Sequence, residues 1–166
     1  MNPTEAISAA FELLPERMRS VQAATLLLAV QFQEAPNQEQ RQIGGPAVGI
    51  WQFEEDGGIA GVIRHQASRQ YALSVCEALG VEPTKAAVYA ELQSSNDVLD
   101  AAFARLLMWT DALPLPAIGD VDAGFKLYLR TWRPGAYGRG NAATRRKLRQ
   151  KWSINYAKAL EAMAVQ

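Results

Sequence analysis

The sequence predicts a mainly α-helical single domain that spans residues 1–166 and is built around one buried central helix. Apolar residues recur at helical spacing along most of the chain, and Gly, Pro and capping residues separate the periodic segments. Segment 48–53 is the only one that resembles a strand, so we expect at most a very short β element there. With 166 residues, 49% of them hydrophobic, the chain is long enough to bury a core.

The predicted central helix covers residues 16–33. Apolar side chains occupy every face of this segment: Met18, Val21, Leu26, Leu27, Leu28, Val30 and Phe32. A helix that is apolar all round belongs in the interior of a domain. The segment therefore carries the next acidic residue, Glu34, to the point where the chain leaves the interior.

Capping residues and breakers place further helices on both sides of the central one. Asn2-Pro3 begins a helix that continues to about Leu14, and a short helix starts near Gly58. Five more are predicted: one between Ser68 and Gly80, one from Pro83 to about Leu92, one opened by Ser94 and Asp97 that runs through Trp109, one after Asp120, and one over residues 142–163. The glycine-rich segment 132–141 is predicted to be a loop.

The charges are unevenly distributed, although the formal net charge is zero. Residues 126–166 hold ten Lys and Arg against one acid, Glu161, and residues 1–125 hold seven basic and sixteen acidic residues. A basic segment of this kind indicates a polyanionic partner, such as nucleic acid, an anionic cell wall or an acidic protein surface. The alternative is a solvated helix face that balances the acidic half of the chain.

Several site and targeting classes are not indicated by the sequence. The single cysteine, Cys76, excludes an internal disulfide, and the single histidine, His65, argues against a catalytic triad or a His-rich metal site. We expect no metal and no cofactor. The N-terminus lacks the pattern of a signal peptide, and the apolar run 23–30 is too short to span a bilayer. We therefore expect synthesis in the cytoplasm without export by such a signal.

The segment that follows the central helix contains the candidate chemistry. Glu34 is followed by a polar loop, a Gly-Gly-Pro break and the segment Gly49-Ile50-Trp51-Gln52-Phe53. Cleavage of a glycosidic bond needs an acid that stays protonated near neutral pH, and desolvation at an apolar helix end raises a carboxyl pKa. In this interpretation Glu34 lies beneath Trp51, Trp51 stacks on a sugar ring, and Gln52 offers an amide to the substrate. The alternative is a solvated glutamate at a helix end.

Glu34 at the end of an apolar helix, followed by Gly49-Ile50-Trp51-Gln52-Phe53, resembles the lysozyme-like superfamily. The pattern is closest to soluble lytic transglycosylases and goose-type lysozymes, and the following GGIAGVIRH resembles phage-encoded endolysins and virion-associated muramidases. The resemblance covers residues 20–65, and elsewhere it rests on helix content alone. Two departures are visible: Ala35 stands where the family has serine, and Ala136-Tyr137-Gly138 lacks the family's asparagine.

The resemblance implies a lysozyme-like fold and a peptidoglycan-cleaving glycosidase that acts on the MurNAc-GlcNAc β-1,4 bond of bacterial glycan strands. Glu34 would be the general acid, and Gln52 with either Tyr128 or Tyr137 would orient the substrate. Trp132 would line the glycan groove, or it would simply anchor a helix end. A second carboxylate would separate a hydrolase from a lytic transglycosylase, and four candidates are open: Glu39, Glu54, Glu55 and Asp56. The last three are equally typical of an acidic helix cap.

The basic last helix supports a rival from another class, a non-catalytic phage structural protein or a module that binds nucleic acid or the cell wall. Phosphate contacts require only Lys and Arg on one face, which residues 145–151 supply. In the enzyme interpretation the same cluster would hold the protein on anionic cell-wall polymers. The enzyme would then act on the wall at phage lysis or from the virion.

Overall fold

The computed structural model describes residues 1–165, which contain nine α-helices. These are α1 (Pro3–Glu12), α2 (Val21–Glu34), α3 (Ala60–Arg64), α4 (Arg69–Leu79), α5 (Lys85–Gln93), α6 (Asp97–Trp109), α7 (Val121–Thr131), α8 (Gly135–Gly138) and α9 (Ala142–Ala164). The prediction of a mainly α-helical single compact domain is confirmed. The last residue of the predicted domain, Gln166, lies outside the described residues.

Two helices are buried in the interior. Helix α2 is buried along most of its length, as its all-round apolar sequence predicts, and it packs against α1, α6 and α9. Helix α6 is even more enclosed, because it contacts α1, α2, α3, α4, α5 and α7. Eleven of its thirteen residues are buried. The core therefore has two central helices, whereas the sequence pattern drew attention to α2 alone.

Local hydrogen bonding moves several helix starts from their predicted positions. The predicted helix 16–33 begins only at Val21, because the Ser20 hydroxyl accepts a 3.1 Å hydrogen bond from Ala23 N and thereby caps α2. Residues Glu16–Met18 form a separate 3₁₀ turn. Helix α6 is capped by Asn96, whose side chain accepts from Leu99 N at 3.2 Å, so the predicted Ser94 cap is wrong.

The expected short β element is present. Val48 and Phe53 form an antiparallel bridge, with Val48 N donating to Phe53 O at 2.9 Å and Phe53 N donating to Val48 O at 2.8 Å. A second isolated bridge joins Arg41 to Val48. Between the bridged residues the chain makes a tight turn, with left-handed backbone at Gly49 (φ 74°) and Gln52 (φ 55°).

The C-terminal half encloses the exit of α2. Helix α9 packs along α2 and also contacts α7, which brings the end of α2 close to both. The predicted loop 132–141 contains the short helix α8. None of the helices in residues 1–165 combines the length and the apolar character needed to cross a membrane.

Candidate functional site

Glu34 is the last residue of α2, and it is half-buried. The Gln31 side chain donates a 2.6 Å hydrogen bond to Ala35 O, so the chain is fixed just beyond the carboxylate. Because Ala35 is itself buried, the serine that the lysozyme-like pattern has here would place a hydroxyl in the interior. An alanine is therefore compatible with this packing.

The Glu34 carboxyl group is bound by a tyrosine from α7. The Tyr128 hydroxyl donates a 2.5 Å hydrogen bond to Glu34 Oε1. The Tyr128 ring is buried and stacks on Trp152 of α9, with ring centroids 5.2 Å apart and an interplanar angle of 12°. Burial and the adjacent Glu34 charge both raise the pKa of the Tyr128 hydroxyl, so the hydroxyl keeps its proton and donates it to the hydrogen bond with Glu34.

Opposing effects determine the acidity of Glu34. Burial raises the pKa of its carboxyl group above the ordinary value, whereas the Tyr128 hydrogen bond and the positive charge of Lys151 lower it. Lys151 projects from α9, and its Nζ donates a 2.6 Å hydrogen bond to the carbonyl oxygen of Gln33. Desolvation is the largest of these effects, which leaves an acid shifted towards the protonated form.

Trp51 has a different role from the one expected, because its side chain is fully buried. Its indole Nε1 donates a 2.8 Å hydrogen bond to Leu27 O, two turns before Glu34 along α2. A ring without exposed surface does not stack on a sugar, and the carboxyl of Glu34 is bound by Tyr128 instead. Trp51 is therefore a core residue in this structure.

Asp100 is a buried acid that the sequence analysis missed. It lies on α6 beneath the turn, where its Oδ2 accepts a 3.3 Å hydrogen bond from Trp51 N, and its side chain is 0% exposed. Burial raises the pKa of the Asp100 carboxyl well above its ordinary value. A Cβ at Gly49 would lie 2.3 Å from Asp100 Oδ2, so this position requires glycine for space as well as for its φ of 74°. The signal in the sequence was a lone acid between Val98 and Ala104.

Gln52 is held in place mainly by its own turn. Its Nε2 donates to Gly49 O at 2.9 Å and to Glu39 O at 3.2 Å. Both hydrogen bonds of the amide nitrogen are therefore made within the protein, and the half-buried side chain borders an open groove.

A groove of about 440 Å³ lies between the segment after Phe53 and the end of α7. Its walls include Gln52, Phe53, Glu54, Asp56, Gly57, Gly58, Gly61, His65, Leu107, Thr110, Arg130, Thr131, Trp132 and Arg133. Glu34, Tyr128 and Tyr137 are not part of its lining. Trp132 is one helical turn beyond Tyr128, and its Nε1 donates to Trp51 O at 2.9 Å. On α7 the groove wall therefore begins at Arg130, two residues beyond Tyr128.

The candidate second carboxylates are distributed over two places. Glu54 and Asp56 line the groove, and Asp56 is paired with Lys85. Glu39 belongs to the loop after α2 and lies on the Glu34 side. Its pKa is lowered by hydrogen bonds from its own backbone and from Asn37, with a further contribution from Lys151.

Tyr137 is not brought to Glu34. Its ring packs edge-on against Phe125, with centroids 5.7 Å apart, and lies under the guanidinium of Arg145 at 5.1 Å. Tyr128 and Tyr137 are the two tyrosines expected to orient a substrate, and within residues 1–165 only Tyr128 contacts Glu34.

The basic cluster of α9 is partly engaged within the domain. Arg145 donates a 3.0 Å hydrogen bond to Tyr137 O, Arg149 approaches Asp122 at 3.6 Å, and Lys151 binds Gln33 O. Arg146 and Lys147 are exposed and form no salt bridge within residues 1–165.

Comparisons with known families, curated proteins and solved structures find no match to this chain. Within residues 1–165, no group of three or more His, Cys, Asp and Glu side chains is arranged to hold a metal ion.

Proposed function

We propose that this protein is a peptidoglycan-cleaving glycosidase of lysozyme-like type, with Glu34 as the general acid. The observation that carries the proposal is the environment of Glu34: a half-buried carboxyl whose pKa is raised by burial and which Tyr128 holds through a 2.5 Å hydrogen bond. A carboxyl group with a raised pKa keeps its proton to higher pH than an ordinary carboxyl does, which suits it to protonate a leaving oxygen. The groove whose wall begins on α7 two residues beyond Tyr128, with half-buried Trp132 in that wall, supports binding of an extended glycan.

In the proposed reaction, Glu34 donates its proton to the glycosidic oxygen as the bond from that oxygen to the anomeric carbon breaks. The bond electrons remain with the leaving oxygen, and positive charge develops at the anomeric carbon. A water molecule then attacks in a hydrolase, whereas the C6 hydroxyl of the same sugar attacks in a transglycosylase. In the transglycosylase the proton of the C6 hydroxyl passes to the ionised Glu34 and restores the acid. In the hydrolase the proton of the water passes either to Glu34 or to the second carboxylate, and in the latter case solvent reprotonates Glu34. Tyr128 keeps the Glu34 carboxyl oriented throughout.

The substitution Glu34→Gln tests the proposal, since it retains shape and removes the transferable proton. We expect the wild-type protein to clear a suspension of purified cell walls and Glu34→Gln to lower the rate by about 100-fold or more. The matched control is Glu77→Gln, an exposed glutamate of α4 that does not line the groove. Equal activity of wild type and Glu34→Gln would refute the role of Glu34.

The reaction products separate the two mechanisms. Mass spectrometry of the released fragments shows reducing ends with added water for a hydrolase and anhydro ends for a transglycosylase. If the reaction is hydrolysis, the variants Glu39→Gln, Glu54→Gln, Glu55→Gln and Asp56→Asn identify the second carboxylate, because replacing that group lowers the rate even while Glu34 is intact.

A second candidate is a non-catalytic protein that binds a polyanion, either nucleic acid or an anionic cell-wall polymer. It is favoured by Arg146 and Lys147 on α9, which are exposed and form no salt bridge within residues 1–165. If the protein leaves cell walls intact and binds DNA with a steep salt dependence, this candidate replaces the enzyme. In the enzyme proposal the same residues hold the protein on the wall, where it acts at phage lysis or from the virion.

A further inference from the structure

Two residues with unfavourable backbone conformations line the groove. The four non-glycine residues with positive φ are Gln38, Gln52, Ser95 and Arg133 in residues 1–165. Two of these, Gln52 (φ 55°) and Arg133 (φ 48°), line the groove. Left-handed backbone is costly for residues other than glycine, and such strain concentrates at functional sites.

Arg133 occupies a position where glycine is common. Helix α7 ends at Thr131, Trp132 is its C-cap, and the next residue takes the left-handed conformation that usually terminates a helix through glycine. An arginine there bears a conformational cost that its contacts within the protein do not explain. Its only hydrogen bond in the described residues is a long one, from Nε to Arg130 O at 3.4 Å.

The charge of Arg133 is exposed to the groove and unpaired. It forms no salt bridge within residues 1–165, and the side chain is exposed. By contrast, its neighbour Arg130 is bound to Asp111 through two hydrogen bonds of 3.0 and 2.8 Å. Of the two guanidinium groups in the groove wall, only that of Arg133 is available to an external anion.

The groove lining carries negative as well as positive side chains, so it does not favour every anion. Glu54 and Asp56 belong to its lining, and although Asp56 is neutralised by Lys85, Glu54 forms no salt bridge in the described residues. A ligand with both carboxylate and ammonium groups fits this wall better than a polyphosphate does, because neither Arg133 nor Glu54 forms a salt bridge within residues 1–165.

We propose that Arg133 binds a carboxylate on the peptide stem of the glycan substrate, and that it thereby selects peptide-bearing strands over bare ones. The inference rests on the proposed function, because it places the glycan along the groove next to Trp132. A planar guanidinium suits the two oxygens of a carboxylate, and such charge-assisted pairs are among the stronger hydrogen bonds.

The variant Arg133→Gly separates binding from folding. Glycine adopts positive φ readily, so the melting temperature is expected to stay unchanged or to rise while the ligand contact is lost. Ser95→Gly is the matched control, because Ser95 also has positive φ (65°) but does not line the groove. Ser95→Gly should leave the melting temperature unchanged or raise it, as Arg133→Gly does, and it should leave ligand binding unchanged.

Binding is measured by calorimetry in the Glu34→Gln background, which prevents turnover. Three ligands are compared: a neutral GlcNAc oligomer, a stem-free strand whose lactyl group bears a carboxylate, and a strand with intact peptide stems. We expect Arg133→Gly to weaken binding of the stem-bearing strand by about tenfold or more, and to leave the GlcNAc oligomer unaffected.

Other results would overturn the inference. If Arg133→Gly loses the same affinity for all three ligands, the substitution has a general effect on the groove. If it loses the same affinity for both carboxylate-bearing strands, Arg133 binds the lactyl carboxylate and not the stem. If the Glu34→Gln protein that retains Arg133 does not bind the stem-bearing strand, the inference is refuted as well. If cell walls are not cleaved but stem-selective binding depends on Arg133, the proposed function falls while this inference stands.

Discussion

The Tyr128 hydroxyl donates a 2.5 Å hydrogen bond to Glu34 Oε1, across 94 residues of sequence. Because the pKa of the Tyr128 hydroxyl is raised by burial and by the Glu34 charge, the proton stays on the tyrosine. The bond therefore stabilises the ionised carboxylate and opposes the effect of burial on Glu34. This balance of effects gives direct predictions for the pH dependence of activity.

Replacement Tyr128→Phe removes the hydrogen bond and retains the ring that stacks on Trp152. The pKa of Glu34 is expected to rise, because a contact that favours its charged form is lost. A general acid is active while protonated, so the basic limb of the pH–activity profile should move to higher pH. Tyr137→Phe is the control and should leave that limb in place, since Tyr137 does not contact Glu34. A shift to lower pH in Tyr128→Phe would contradict the prediction.

Replacement Lys151→Met removes a positive charge that lowers the pKa of Glu34. The basic limb of the pH–activity profile should again move to higher pH. The shift should be smaller at high salt, because screening already weakens the attraction between Lys151 and Glu34 in the wild-type protein. Lys147→Met is the matched control, one turn earlier on α9 and without a hydrogen bond to Gln33 O. Identical profiles for both variants would show that the charge of Lys151 does not act on Glu34.

Replacement Gly49→Ala is expected to destabilise the fold by at least about 1–2 kcal/mol, the cost of left-handed backbone in a non-glycine residue. The contact of the new Cβ with Asp100 Oδ2 at 2.3 Å adds to that cost. The comparison is Gly61→Ala on α3, where a Cβ meets nothing within 4 Å and alanine favours the helix. Urea denaturation measures the free energy of unfolding of both variants, and equal values would refute the steric argument.

Replacement Asp100→Asn tests the raised pKa of the buried acid. An aspartic acid in an unfolded chain has a pKa of about 3.9, and burial raises the pKa of Asp100 in the folded state. Between these two values the folded state binds more protons than the unfolded state, so the free energy of unfolding falls as pH rises. The amide stays neutral, and it can still accept from Trp51 N. We expect a flatter dependence of stability on pH above about 4.

Denaturation at a series of pH values measures this effect. Glu34 has the same sign of pKa shift, so some decrease in stability should remain in Asp100→Asn and should disappear when Glu34→Gln is added. If Asp100→Asn leaves the pH dependence unchanged, then Asp100 does not titrate with a raised pKa in the folded protein.

The helical framework could be predicted from the sequence because its signals are local. Apolar periodicity, the caps at Asn2 and Asp120, and the left-handed Gly80 (φ 67°) that ends α4 all act within a few residues. The errors were local as well: the Ser20 and Asn96 caps compete with nearby residues of similar chemistry, and only the observed hydrogen bonds decide between them.

The candidate site depended on contacts that local patterns do not specify. The sequence by itself determined that Glu34 ends a buried helix and that a glycine-rich turn follows. Tertiary packing alone decided that Tyr128 binds Glu34, that Trp51 is buried with its indole on Leu27, and that Asp100 lies beneath the turn. These contacts span 94, 24 and 49 residues, so they exist only once the helices have packed and fixed which side chains face one another.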